Sequence, residues 1–350
     1  MTAHDRLSLG EGATPVLELP AVAGHYGVSQ IWAKAEWLNP TGSYKDRIAL
    51  ETVRDAVRRG SLGWVGTSSG NAGAAMSAYG ARAGLPGFLC VAADAPREKL
   101  QSILPYGATL LPIANLGIAE MDEIRELAME YNLKLAVTAY RYNPEGMTGA
   151  EGIGAELIDQ GPFTHVYVPT GGGGLLVAIA RGLGRSSEDG PVVICAQPRG
   201  CAPVARHLEG EIDAPQISAC TSTISGLQLP TPPDGELAAA ATRESGGWGC
   251  LVSDDEAWET QLLLAQHEGI FVEPASALAV AAIVQDFRAG RLTEADRPLA
   301  VLTGTGLKDL HRFASGSDRL RTPCVIDDLR SLLAEHFAIH GPHPGLRHPP

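Results

Sequence analysis

Short apolar runs alternate along this chain with segments of helical period, a pattern that predicts βα units around a mostly parallel sheet. Strands are expected at 31–37, 63–67, 88–92, 108–113, 133–138, 165–169, 192–195 and 299–302. Helices are expected at 44–59, 71–83, 96–106, 118–131, 145–160, 175–183, 254–267 and 275–287. The stretch 214–248, rich in Pro, Gly, Ser and Thr, reads as a long irregular connection. The last residues from His340 onward carry no core-forming pattern and read as a disordered tail, and no internal repeat is visible.

A chain of 350 residues, 45% hydrophobic and 19% charged, is long enough for two ordinary domains with disulfide-free cores. Its net charge of −13 argues against a nucleic-acid partner, which would need surplus basic charge. No apolar run is long enough for a membrane span, and the N-terminus has no secretory pattern. Six cysteines with no C-x-x-C pair predict a reduced, cytoplasmic, metal-free protein. Only five lysines are present (Lys34, Lys45, Lys99, Lys134 and Lys308), so any amine chemistry comes from a short list.

Four segments carry candidate chemistry. Asn39-Pro-Thr-Gly-Ser-Tyr-Lys45-Asp-Arg sets a lysine at a helix start, where the positive field favours the neutral amine that attacks an aldehyde. Gly66-Thr-Ser68-Ser69-Gly70-Asn71-Ala72-Gly73 sits between strand and helix, where backbone amides can face a carboxylate, although Ser and Asn also cap helices. Its opening also matches the G-x-S-x-G elbow of serine hydrolases, but no oxyanion segment precedes it. Thr170-Gly171-Gly172-Gly173-Gly174 leads an apolar strand into an apolar helix and offers unhindered amides to a phosphate. It is neither G-x-G-x-x-G nor a P-loop. Thr303-Gly304-Thr305-Gly306 ends the last predicted strand with two hydroxyls.

An amine for an aldehyde, glycine amides for a phosphate, an amide for a phenolic oxygen and a hydroxyl for a pyridine nitrogen together describe a site for pyridoxal phosphate (PLP). Here the sequence resembles the fold type II, tryptophan synthase β-like PLP enzymes from Glu11-Gly-Ala-Thr-Pro to Lys308, and within them the threonine synthases. The lysine segment, the asparagine loop, Glu268-Gly-Ile-Phe-Val-Glu-Pro-Ala-Ser276-Ala and Thr303-Gly-Thr-Gly-Leu-Lys-Asp309 are each similar to a segment of that family, in the same order.

The resemblance implies a two-domain α/β fold, each domain an open, mostly parallel sheet flanked by helices, with PLP in the cleft between them. The smaller domain would span 46–147 and the larger 10–45 plus 148–325, with 326–350 a partly disordered tail. It further implies that Lys45 carries the cofactor, Asn71 meets its phenolic oxygen, Gly171, Gly172, Gly173 and Gly174 hold its phosphate, and Thr303 meets its pyridine nitrogen as a neutral partner. Ser68 and Ser69 would bind the carboxylate of an amino-acid substrate, and Arg141 is the candidate for a substrate phosphate. A cytoplasmic homodimer follows from the family. Threonine synthase-like chemistry on O-phosphohomoserine is the expected reaction, with elimination or replacement at the β-carbon of a serine- or threonine-like substrate as the alternative. Three features depart from the threonine synthase pattern. Ala72 stands where a threonine is usual, and Asn143-Pro-Glu145-Gly146 replaces R-x-E-G. The glycine quartet resembles threonine dehydratases and serine racemases.

Overall fold

The computed structural model describes residues 6–68, 70–93, 95, 100–114, 116–184, 190–313 and 326–340. Among the described residues, ten strands form two sheets. One comprises β1 (Val16–Glu18), β2 (Trp32–Lys34), β7 (His165–Pro169), β8 (Val192–Pro198), β9 (Gly249–Val252) and β10 (Pro298–Val301), in the order β1-β2-β10-β7-β8-β9. Every neighbouring pair is parallel except β1–β2. The other sheet is wholly parallel, ordered β5-β4-β3-β6, from β3 (Gly63–Thr67), β4 (Gly87–Ala92), β5 (Thr109–Ile113) and β6 (Leu133–Leu135). Sequential parallel strands need helical crossovers. α3 (Asn71–Ala83) supplies one between β3 and β4, and α6 (Gly174–Gly182) another between β7 and β8.

Burial follows from this layering. Each residue of β7 is buried, as expected of a central parallel strand covered on both faces. The helix α10 (Pro274–Arg288) buries twelve of its fifteen residues, eight of them valine, isoleucine, leucine or alanine between positions 277 and 284, and packs on β7, β8, β9 and β10. A helix apolar all round belongs inside a domain, and alanine lets it lie close to the sheet.

The remaining helices are α1 (Pro20–Tyr26), α2 (Lys45–Arg59), α4 (Ile118–Glu130), α5 (Pro144–Gln160), α7 (Pro203–Leu208), α8 (Gly235–Glu244), α9 (Asp254–Leu263) and α11 (Ile326–His340). Elements β1, β9, α1 and α7 are not among those expected, and β6 is shorter than 133–138; four further findings differ from the sequence expectation. The region 214–248 is not irregular throughout, because α8 lies inside it, built on an alanine run that favours helix. Strand β2 is shorter than 31–37, since Glu36–Leu38 turn as a 3-10 segment. Of the helix expected at 96–106, residues 96–99 lie outside the described residues, and Leu104–Tyr106 form a 3-10 turn with proline in it. Residues 326–340 form a helix, while the tail expected from His340 onward lies outside the described residues beyond that helix. No described helix is long and apolar enough to cross a membrane.

A buried ionic network fixes the start of α2. Arg47 donates to both oxygens of Glu36 (2.8 Å each) and to Glu156 on α5 (2.6 and 2.9 Å). Lys34, fully buried on β2, donates to Glu156 (2.6 Å), Gln160 (2.8 Å) and the Thr14 carbonyl (2.7 Å). Burial disfavours an ionised Glu156, yet the hydrogen bonds from Arg47 and Lys34 outweigh it and hold the carboxyl down at about 2. A carboxyl depressed in the folded state contributes stability that is complete above its unfolded value of about 4.5 and lost as the pH falls toward 2. Urea unfolding should therefore show stability declining across pH 4.5 to 2, with a smaller decline in Glu156→Gln. Equal declines in the two proteins would contradict this role for Glu156.

Candidate active site

The lysine segment is held at nearly every residue. Asn39 receives the Gly12 amide (2.9 Å) and donates to Glu36 (2.9 Å), and the Gly42 amide closes the turn on the Asn39 carbonyl (2.7 Å). Gly42 has φ +86°, and a Cβ there would lie 2.7 Å from the Thr305 methyl, so conformation and packing both require glycine. The amide and hydroxyl of Thr41 both donate to Asp46. Burial pushes the Asp46 carboxyl up to about 6 against those hydrogen bonds and the charge of Lys308. The Tyr44 amide donates to the Thr303 carbonyl (3.0 Å), the Thr305 amide to the Gly42 carbonyl (2.9 Å), and Ser43 bridges Gly304. Lys45 thus begins α2 at a junction pinned to the loop that follows β10. Its Nζ donates to Thr138 Oγ1 (3.1 Å) and lies 4.4 Å from the centre of the Tyr44 ring.

Three more segments meet at this junction. Asn71 opens α3, and its Nδ2 donates to Glu273 Oε2 (2.8 Å). The Thr303 hydroxyl donates to Glu273 Oε1 (2.8 Å) and pairs with the Ser276 hydroxyl (2.9 Å), which also receives the Gly304 amide (3.1 Å). One carboxylate therefore joins the two side chains expected at opposite edges of a pyridine ring. Sequence reasoning placed Glu273 and Ser276 inside a family segment without a role; the two-residue spacing of Glu-Pro-Ala-Ser across the start of α10 was the available signal. Lys308 reaches Asn71 Oδ1 (3.2 Å), and burial lowers its pKa from the ordinary lysine value against the charges of Asp46 and Glu273.

The glycine quartet follows β7 directly. A Cβ on Gly171 would fall 2.5 Å from the Gly226 carbonyl, and on Gly174 2.8 Å from Met147 and 2.9 Å from the Asp234 carboxylate. Gly173 has φ +92° and Asp234 backbone at 2.6 Å. Gly172 is different: a Cβ there would make only ordinary contacts, the nearest 3.5 Å away, so protein packing does not demand glycine. A phosphate approaching the backbone would. The Asp234 carboxylate receives the amides of Tyr140 (2.7 Å) and Arg141 (3.1 Å), and its own amide donates to the Gly172 carbonyl (3.0 Å). The Thr138 carbonyl lies 3.4 Å from a Gly174 Cβ position, so the residue that holds Lys45 also borders the glycine loop.

Lys45, Asn71, Thr303 and the glycine loop are thereby drawn together beyond the C-terminal ends of β3, β7 and β10, where open α/β sheets collect ligands. Ser68 borders Asn71 and accepts the Gly70 amide (3.1 Å); Ser69 lies outside the described residues. Arg141 is exposed, its guanidinium 5.6 Å from the centre of the Tyr142 ring, and lines a cleft with Gln216, Thr231 and Asp234. Asn143, at the position of the family's arginine, is a buried N-cap of α5, with Oδ1 receiving the Gly146 amide (3.2 Å) and Nδ2 donating to Thr52 (2.8 Å).

The donor set fits PLP: an amine, a glycine loop with one side chain missing for no internal reason, a side-chain amide and a hydroxyl. Comparison with known proteins agrees. The chain is 30% identical over 336 residues to threonine synthase of Halalkalibacterium halodurans, covering 95% of this chain and 92% of that protein. Among solved structures, serine racemase from Dictyostelium discoideum superposes with a TM-score of 0.71 at 27% identity, covering 86% of this chain and 95% of the other. An O-ureido-L-serine synthase superposes with a TM-score of 0.71 at 25% identity, covering 92% and 96%. Residues 7–304 match the family model described as pyridoxal-phosphate dependent enzyme, and the chain belongs to that family.

Proposed function

We propose that this protein is a threonine synthase-like lyase, releasing phosphate from O-phosphohomoserine and adding water at the β-carbon to form threonine. The observation that carries the reading is the Lys45 segment, pinned to Thr303–Thr305 beside Asn71 and the glycine loop, in a chain similar to threonine synthases over nearly its whole length. PLP, when bound, supplies the electron sink that makes carbon acids of amino acids reactive. Lys45 Nζ would carry the cofactor and serve as the group that moves protons at the substrate carbons, its direction set by Thr138 Oγ1. The amides of Gly171–Gly174 would hold the cofactor phosphate, an Asn71 N–H would reach its phenolic oxygen, and the neutral Thr303 hydroxyl would meet its nitrogen by turning toward it the proton it now gives to Glu273. Ser68 and Ser69 orient the substrate carboxylate. The division at 46–147, the homodimer and a cytoplasmic location belong to the same proposal.

A second reading, β-elimination or β-replacement on a serine- or threonine-like substrate, is favoured by one observation. The arginine position of the threonine synthase motif is a buried cap, and Arg141 is exposed. A released phosphate dianion needs charge-assisted donors. Purified holoenzyme should form threonine from O-phosphohomoserine. Arg141→Ala should raise KM for it by roughly ten-fold or more, the effect of one charged hydrogen bond. Turnover of serine, threonine or O-acetylserine that ignores Arg141→Ala, with no threonine formed from O-phosphohomoserine, would establish the second reading instead.

A further inference from the structure

Lys308 is a second amine in the cofactor cleft, and neither the carrier role of Lys45 nor the binding of phosphate uses it. It stands on the 3-10 turn Gly306–Lys308, with its Cε 3.7 Å from the position of a Gly42 side chain. Its ammonium crosses the lysine segment to reach Asn71 Oδ1 at 3.2 Å. An ammonium has donors only, so the atom of Asn71 that faces it must be the carbonyl oxygen. That contact removes the twofold ambiguity of the amide: Nδ2 points the other way and donates to Glu273 Oε2 (2.8 Å), and an amide nitrogen carries a second hydrogen for a further acceptor. With the amide reversed, Oδ1 would face Glu273, carboxylate against carbonyl, and Nδ2 would face the ammonium. Both contacts would be repulsive.

We infer that Lys308 is a positioning residue for the cofactor: by donating to Asn71 Oδ1 it locks the Asn71 amide so that the Nδ2 hydrogen not bonded to Glu273 is offered to the phenolic oxygen of PLP. The inference rests on the reading of Asn71 as a cofactor contact. Burial lowers the Lys308 pKa, and the charges of two acidic side chains, Asp46 and Glu273, act against that lowering. The turn after Thr303 brings Lys308 over Gly42, its Cε in ordinary van der Waals reach of a Cβ position there.

A double-mutant cycle on PLP affinity tests this. Apoprotein of the parent, Lys308→Met, Asn71→Ala and the double variant is titrated with pyridoxal phosphate, and the absorbance maximum of the bound cofactor is recorded with each. Lys308→Met should weaken PLP binding by about ten-fold and shift the maximum, as expected for loss of a charge-assisted hydrogen bond. In the Asn71→Ala background the same substitution should matter less than about two-fold, because residues acting through one another are not additive. Lys308→Arg, which keeps a donor, should recover affinity. Wild-type affinity in Asn71→Ala would overturn both the Asn71 assignment and this inference. A Lys308→Met effect that persists undiminished without the Asn71 side chain, or no effect in either background, would overturn the inference alone.

Discussion

Lys45→Ala should fold normally and lose turnover by at least about three orders of magnitude, because carrier and proton-transfer group disappear together. Normal folding is expected because the segment is held by its other members. Asn39, Thr41, Gly42, Tyr44 and Arg47 each bond elsewhere, whereas the Lys45 side chain contributes a single hydrogen bond to Thr138. Thermal melting of the apoproteins should agree within a few degrees. The variant should also fail to develop the visible absorbance of lysine-bound PLP while keeping weaker, phosphate-directed binding through the glycine loop. Thr138→Val gives a graded companion: it removes only the group that directs Nζ, so a smaller fall in kcat with little change in PLP affinity is expected.

Arg47→Ala should be the most destabilising single change near the site, costing about 3–5 kcal/mol, as for a buried ion pair losing one partner. Glu36 is fully buried and would be left with hydrogen bonds from Thr14 and Asn39 but without a cation in contact. Glu156 would retain Lys34. The damage reaches function because Arg47 lies in the first turn of α2, two residues after Lys45. By contrast, Arg206→Ala breaks a half-exposed pair with Glu211 and should cost no more than about 1 kcal/mol. Urea midpoints at neutral pH compare the two directly. Similar small shifts in both variants would mean that the network around Arg47 does not hold the lysine segment.

The βα alternation was legible because parallel strands and their crossovers need contrasting periodicities, and β3–α3 and β7–α6 fall where the pattern placed them. The lysine, the asparagine loop, the glycine quartet and Thr303 were legible because each combines a special backbone requirement with a reactive or donating group. What escaped depends on contacts between distant segments. Glu273 is 202 residues from Asn71 and 30 from Thr303, and only the fold makes it their common acceptor. Lys308 is 237 residues from Asn71. The buried capping role of Asn143 likewise requires Thr52 on a different helix. Helix α8 was hidden for a local reason: its alanine run is flanked by Pro232, Pro233, Gly246 and Gly247, and the flanks dominated the reading of the whole stretch.

The central claim is that Lys45, at the start of α2, is the lysine that carries PLP, although Lys308 also lies in the cleft. Borohydride reduction of the holoenzyme, followed by proteolysis and peptide mapping, tests it most directly. The account predicts a pyridoxyl group on Lys45 in the Asn39–Arg47 segment, with Lys308 unmodified. A pyridoxyl group on Lys308, or on any of the other three lysines, would contradict it.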